Sequence, residues 1–248
     1  MPKPLPSPLA ALLENPAIWR GGDCAPEPAA LASGFAALDV LLPGGGWPPA
    51  ALTEIALARE GIGEIALTLP ALVRVQADGR DVVWIEPPHR PYAPALVAAG
   101  LDLARLLIVR CDDTREQLWA YEQALRAPEC GAAFAWLGTH DERVLRRLAL
   151  AAREGRTWGV LWRRPGQRAS VTASPLRLAL APRDGKLAVH VVKRRGGDVA
   201  QPILLDVTAR ALPYVPAQTL PDARTSAGYE IARESHAQAP SDHRRVAN

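Results

Sequence analysis

Ala51-Leu-Thr-Glu-Ile-Ala-Leu-Ala-Arg-Glu-Gly-Ile-Gly-Glu-Ile-Ala-Leu-Thr-Leu69 decides the fold. It reads as a strand over Leu52–Leu57, a short glycine-bearing loop, then the start of an apolar helix. That order is the layout of a phosphate-binding loop, in which backbone N–H groups and a helix N-terminus cradle a nucleotide's phosphates. A working loop has glycine, four residues, glycine, lysine, then serine or threonine. Here Ala58 holds the first position, Gly61 lies within, and Gly63 is followed by Glu64 and Ile65. A carboxylate stands where an ammonium should meet phosphate, and a hydrocarbon where a hydroxyl should meet magnesium. The carboxylate repels phosphate and the metal loses a ligand. The loop is degenerate, and no bound cofactor is expected in it. Its glycines then serve the turn, with Ile65 and Leu67 in the core.

Upstream, Ser33 is placed to cap a short helix carrying Phe35, Leu38 and Leu41, which Gly44, Gly45 and Gly46 end. Downstream, the spacing of apolar residues predicts a helix over 65–76, a strand over 81–86 stopped by Pro87 and Pro88, and a short helix over 92–99 ended by Gly100. A strand over 106–110, a helix over 114–126, a strand over 132–137, a helix over 141–154 and a strand over 157–162 follow. In the helix over 141–154 Val144, Leu145, Leu148 and Ala152 face inward, with Arg143, Arg146, Arg147 and Arg153 outward. Such alternation means an α/β fold with a mainly parallel sheet and helices on both faces. Strands over 176–181, 187–194 and 203–207 come last, the first two joined through Asp184-Gly185, so the sheet ends in antiparallel strands. The expected organisation is an N-terminal helix and linker over 1–30, a core over 31–208 and a disordered tail over 209–248.

The 248 residues include 48 % hydrophobic and 22 % charged side chains, enough apolar material for a sizeable core. A net charge of +3 permits nucleic-acid contact without demanding it. Cys24, Cys111 and Cys130 show no paired spacing, which points to a reducing compartment and away from a zinc site. No apolar run is long enough to cross a membrane and no leader is evident, so a cytoplasmic protein is expected. The five histidines never pair with Cys or Asp at metal-ligand spacing, so no metal is expected.

Three further groups are candidate contact residues. Leu9, Leu12 and Leu13, with Ile18 and Trp19, form an amphipathic piece that either folds onto its own domain or docks on a partner. Arg163, Arg164 and Arg168, with Lys193, Arg194 and Arg195, either meet DNA phosphates or a partner or form a solvated rim. Trp162 either stacks on an unpaired base or belongs to the core. Most tryptophans fall inside predicted elements; Trp19 and Trp47 fall outside them and are the better contact candidates.

Ser33-Gly-Phe-Ala-Ala-Leu-Asp39, Gly44-Gly-Gly-Trp-Pro48, Thr53-Glu-Ile55, Val83-Trp-Ile-Glu86, Tyr92, Gly100-Leu-Asp102, Leu106-Leu107 and Val191-Val-Lys193, in this order, resemble the RecA recombinase core. Within that family, Leu42-Pro-Gly-Gly-Gly-Trp-Pro48, Pro87-Pro-His-Arg-Pro-Tyr-Ala-Pro94 and Lys193-Arg-Arg-Gly-Gly197 are similar to ImuA-type proteins, which are also described as SulA-like. The resemblance implies a RecA-like core, and a role in the SOS response to DNA damage as an accessory of mutagenic translesion synthesis. The implied partners are ImuB, RecA itself, an error-prone replicative-type polymerase and single-stranded DNA. It also locates the departures. Pro88 falls at the family's catalytic glutamate, with Glu86 nearby, and Trp136 at its magnesium-orienting aspartate. An ATPase of this class works by positioning and by electrostatic stabilisation of phosphate charge. No catalytic residue is therefore assigned and no ATP hydrolysis is expected. Two rival functions are a SulA-type inhibitor of cell division that binds FtsZ, and an active DNA-dependent ATPase, against which Glu64 argues.

Overall fold

The computed structural model describes residues 29–138, 141–163, 174–194 and 201–207. Leu9, Leu12, Leu13, Trp19, Arg164, Arg168 and Arg195, and nearly all of the expected N-terminal segment and tail, lie outside the described residues.

The elements follow the apolar periodicity. A short helix α1 (Ala36–Asp39) and a 3-10 turn (Pro43–Gly45) lead to β1 (Leu52–Leu57), α2 (Glu64–Ala77) and β2 (Asp81–Ile85). Next come α3 (Ala93–Ala98), a second 3-10 turn (Leu103–Arg105), β3 (Leu106–Val109), α4 (Thr114–Arg126) and β4 (Cys130–Ala135). The rest is α5 (Glu142–Glu154), β5 (Trp158–Arg163), β6 (Leu176–Arg183), β7 (Lys186–Lys193) and β8 (Ile203–Leu205). Asp113 and Asp141 cap α4 and α5 by accepting first-turn amides, as short polar side chains do at helix starts.

All eight strands form one sheet in the order β3-β2-β4-β5-β1-β6-β7-β8. Every neighbouring pair from β3 to β6 is parallel, and β7 and β8 are added antiparallel. Asp184 and Gly185 both take positive φ (52° and 70°), the geometry that Asp-Gly supplies to a two-residue hairpin. Successive crossovers carry the chain out from β1 to β2 and β3, then back through β4 and β5. The loops that follow β1, β2 and β4 open at the strands' carboxyl ends, where open α/β sheets bind ligands.

The two faces of the sheet are packed differently. On one, Trp84, Phe134, Trp136, Trp158 and Trp162 interlock, with Trp136 stacked on Trp162 at 5.7 Å and Phe134 edge-on to Trp158 at 5.2 Å. On the other, Ala133, Ala135, Ala151 and Ala152 let α4 and α5 come close. A Cβ on Gly159 would stand 2.8 Å from Leu125 Cδ2, so that approach needs glycine there. Glu122 on α4 joins α5 through Arg147 at 2.8 Å, so Arg147 is an inter-helix tie rather than a purely solvated cation.

Two local expectations need correcting. Ser33 does not cap α1; its hydroxyl accepts from Phe35 N and donates to Phe35 O, while its own N–H donates to the Asp39 carboxylate at 2.8 Å. Trp47 is no contact residue. It is fully buried and stacked on Trp158 at 5.1 Å, because Leu31 and Trp47 exchange backbone hydrogen bonds (2.9 and 2.7 Å) and fold the glycine loop inward. Isolated from predicted strands, Trp47 gave no sign in the sequence of that single bridge.

Candidate functional site

The loop after β1 is held at both ends. Ala58, exposed, donates its N–H to Leu180 O (2.9 Å), and Gly63 O accepts from Leu67 N to start α2. Between them Gly61 and Gly63 take φ values of +73° and +95°, which L side chains rarely adopt. Glu64, first residue of α2, turns its carboxylate back over the loop. Oε1 accepts from Gly61 N at 3.0 Å and Oε2 from Ile62 N at 2.9 Å. The helix N-terminus favours negative charge at this place, so the contact is well matched electrostatically. A carboxylate of the chain's own thus takes loop amides that would otherwise face an anion. The sequence reads Glu64 only as repulsive toward phosphate; what the fold adds is that Glu64 fills the nest. Val207 closes it further: a Cβ on Gly63 would stand 2.5 Å from Val207 Cγ2. Ile65 is half-buried beside the aromatic face, and Leu67 is fully buried there.

Pro88 and Trp136 are the residues that the resemblance sets against catalytic carboxylates. Pro88 follows β2 and cannot offer a carboxylate. Glu86, at a left-handed φ of 52°, points away from the loop, accepting from Cys111 N at 2.6 Å with Arg110 at 3.6 Å. Burial and the nearby Glu86 push the Cys111 thiol up, away from a reactive thiolate. Trp136 follows β4 and is buried against Trp162.

Beside the filled loop is a cavity of about 300 Å³. The first turn of α2 (Glu64, Ile65) forms one wall, Trp84 and Trp136 the floor, and Tyr92 and Arg90 of the segment after β2 the rim. His89, also on the rim, meets Glu60 of the loop at 2.8 Å. Arg90 is exposed, and no carboxylate among the described residues pairs with it. This pocket was not legible in the sequence; the signal was the Pro87-to-Tyr92 run, whose prolines hold its rim extended.

Of the basic group, Arg163, Lys193 and Arg194 are among the described residues. Arg163 is the last residue of β5 and only 5 % exposed. Its guanidinium donates Nε–H and Nη2–H to Glu54 Oε2 (2.9 and 2.6 Å), so it is an internal ion pair and not part of a surface patch. The physical reason is register: β1 and β5 are neighbours, with Ala56 opposite Arg163 and Glu54 opposite Leu161, which brings both side chains under the same helices. Lys193 is exposed at the end of β7, and Arg194 donates to Leu41 O at 2.7 Å. Trp162 is fully buried and unavailable for base stacking. Among the described residues no cluster of His, Cys, Asp and Glu could hold a metal, and no helix is long and apolar enough to cross a membrane.

The model of the SulA family, "Cell division inhibitor SulA", matches residues 51–159, which span the loop, the pocket and the segment between them. The protein "Cell division inhibitor SulA" of Edwardsiella piscicida is 32 % identical over 114 residues, 45 % of this chain and 67 % of that protein. "Protein ImuA" of Caulobacter vibrioides strain NA1000 / CB15N is 35 % identical over 143 residues, 54 % of this chain and 58 % of that protein. The chain belongs to the ImuA/SulA-like family. It spans a little over half the length of the ImuA relatives it matches.

Proposed function

We propose that this chain is a non-catalytic accessory protein of SOS-induced mutagenic translesion synthesis, built on a RecA-like core over 31–208 and acting by protein contacts with ImuB and RecA. One observation carries the proposal: the Glu64 carboxylate bonds Gly61 N and Ile62 N, so the loop meets its own anion. Ile65, Pro88 and Trp136 stand at the positions where, by the resemblance, phosphoryl transfer needs a hydroxyl and carboxylates, which supports a non-catalytic reading. Similarity to ImuA supports the pathway, and the strand order supports a RecA-like core. An error-prone replicative-type polymerase and single-stranded DNA belong to the same proposal as secondary partners, met in the cytoplasm.

The test is capture of purified RecA and ImuB on the tagged full-length chain without nucleotide, with and without single-stranded DNA, at two salt concentrations. Retention of either protein is expected. Loss of both would sink the reading. The second reading is an inhibitor of cell division that binds FtsZ; the matching family and the Edwardsiella relative, both named as cell division inhibitors, support the inhibitor part of it. Filamentation of cells on overexpression would move the assignment there.

A further inference from the structure

Polar and apolar capacity are divided sharply at the carboxyl ends of the strands. The loop amides are taken by Glu64, while the adjoining cavity of about 300 Å³ is lined almost wholly by carbon atoms. That volume is at the bottom of the range of about 300–1,000 Å³ for ligand pockets, room for a bulky side chain with its flanking backbone. A phosphate or carboxylate inside the cavity is disfavoured, because Glu64 forms part of the wall and a charged group there would lose its water without gaining partners. An anion therefore fits only outside it, on the rim. An apolar group is favoured inside. Tyr92 lines the cavity yet is 55 % exposed, and Trp84 is buried with its Nε1–H lacking a hydrogen-bond partner. That N–H is sealed from solvent, so what the cavity offers is aromatic carbon, which suits a bulky apolar side chain.

Charge at the mouth selects among apolar occupants. The rim segment carries His89 and Arg90 and no acid; His89 is engaged by Glu60, while Arg90 is exposed and meets no carboxylate among the described residues. We propose that the pocket between Trp84, Trp136 and Tyr92 seats one bulky apolar side chain of an extended acidic partner segment, with Arg90 taking a carboxylate next to it. The anchor gives affinity through burial, and Arg90 fixes the flank and adds salt dependence. This deepens the adaptor reading by stating the chemistry of one partner segment. The two fail separately, since the peptide test contains no RecA or ImuB.

The test titrates the full-length chain against a rhodamine-labelled octapeptide, Gly-Ser-Glu-Trp-Glu-Ser-Gly-Ser, read by fluorescence anisotropy. Two control peptides replace the tryptophan by alanine or both glutamates by lysine. Saturable binding of the first peptide is expected, weakened about ten-fold or more in each control. Ala95→Phe fills the cavity from α3 and should abolish binding, as should Ala66→Leu from α2, each checked for an unchanged thermal midpoint. Arg90→Ala should weaken binding about five-fold at low salt, and less as salt rises. Equal binding of all three peptides, no binding at millimolar concentration, or binding that survives in folded Ala95→Phe and Ala66→Leu chains would overturn the proposal. Displacement of the peptide by AMP would reassign the pocket to a nucleotide and overturn it as well.

Discussion

The loop after β1 and the segment after β2 sit side by side and treat their unfilled capacity in opposite ways. The loop satisfies itself: Glu64 accepts from Gly61 N and Ile62 N, and Val207 lies against Gly63. The segment from Pro87 to Tyr92 leaves an apolar hollow, an exposed tyrosine and an arginine that meets no acid among the described residues. Backbone amides have fixed positions and can be closed by one carboxylate on the next helical turn. An apolar hollow between bulky indoles is closed only by another bulky group, and the described chain brings none. Groups that answer to the chain itself should therefore govern stability, and groups that answer to nothing inside should govern binding.

Breaking the internal contacts gives the largest effects. Arg163→Met removes the guanidinium that pairs with the buried Glu54 carboxylate and should cost about 3–5 kcal/mol, read from denaturant midpoints. Replacing both members by apolar residues should recover most of that loss, since a pair removed together leaves no buried charge. Gly63→Ala is expected to cost about 2–4 kcal/mol, from left-handed backbone and the clash with Val207 together. With Val207→Ala the effects should sum to less than the separate losses, which marks the contact.

Glu64→Gln keeps the shape and loses the charge, an expected loss of about 0.5–2 kcal/mol. Glu64→Lys sharpens the comparison chemically: it restores the missing cation yet should release no phosphate from ATP, because Ile65, Pro88 and Trp136 remain. Measurable turnover would show that only the lysine had been lacking.

A pH scan probes the buried interior. Burial pushes the Cys130 thiol up to about 12, so it stays protonated in the folded chain after the unfolded thiol, with a pKa of about 8.5, has ionised. The unfolded state then binds fewer protons, and stability falls as pH rises from about 9 to 12. Cys130→Ala should lose less stability over that window. The smallest stability effects belong to the open side: Arg90→Ala should fall within about 0.5 kcal/mol of the parent. If it destabilises as much as Glu64→Gln, the segment after β2 is an internal structure and the contrast fails.

Local chemistry made the architecture legible. Thr114–Arg126 and Leu52–Leu57 occur with the predicted bounds because period and flanking breakers agree there, and Asp184-Gly185 makes its hairpin because few other dipeptides accept that turn. The strand expected over 132–137 instead occupies Cys130–Ala135, since pairing with β2 begins at Cys130 and a run of small apolar residues carries no edge signal. Arg163 looked like the start of an exposed basic loop; neighbouring strands made it a buried partner of Glu54, 109 residues away. Trp47 looked like a contact residue until one bridge to Leu31 folded it under the sheet.

Legible along the chain were the order of elements, the parallel sheet with its antiparallel close, and the run Gly63-Glu64-Ile65, which lacks the lysine and hydroxyl of a working phosphate-binding loop. Those depend on spacing and side-chain type, which are local. Only the tertiary structure decided that Glu64 fills the loop, that Arg163 is internal and that Trp84, Trp136 and Tyr92 surround an open hollow. The Glu64 contact spans only three residues but needs the loop turned by its left-handed glycines. The other two depend on groups from separate strands, and no spacing along the chain encodes which of those will meet.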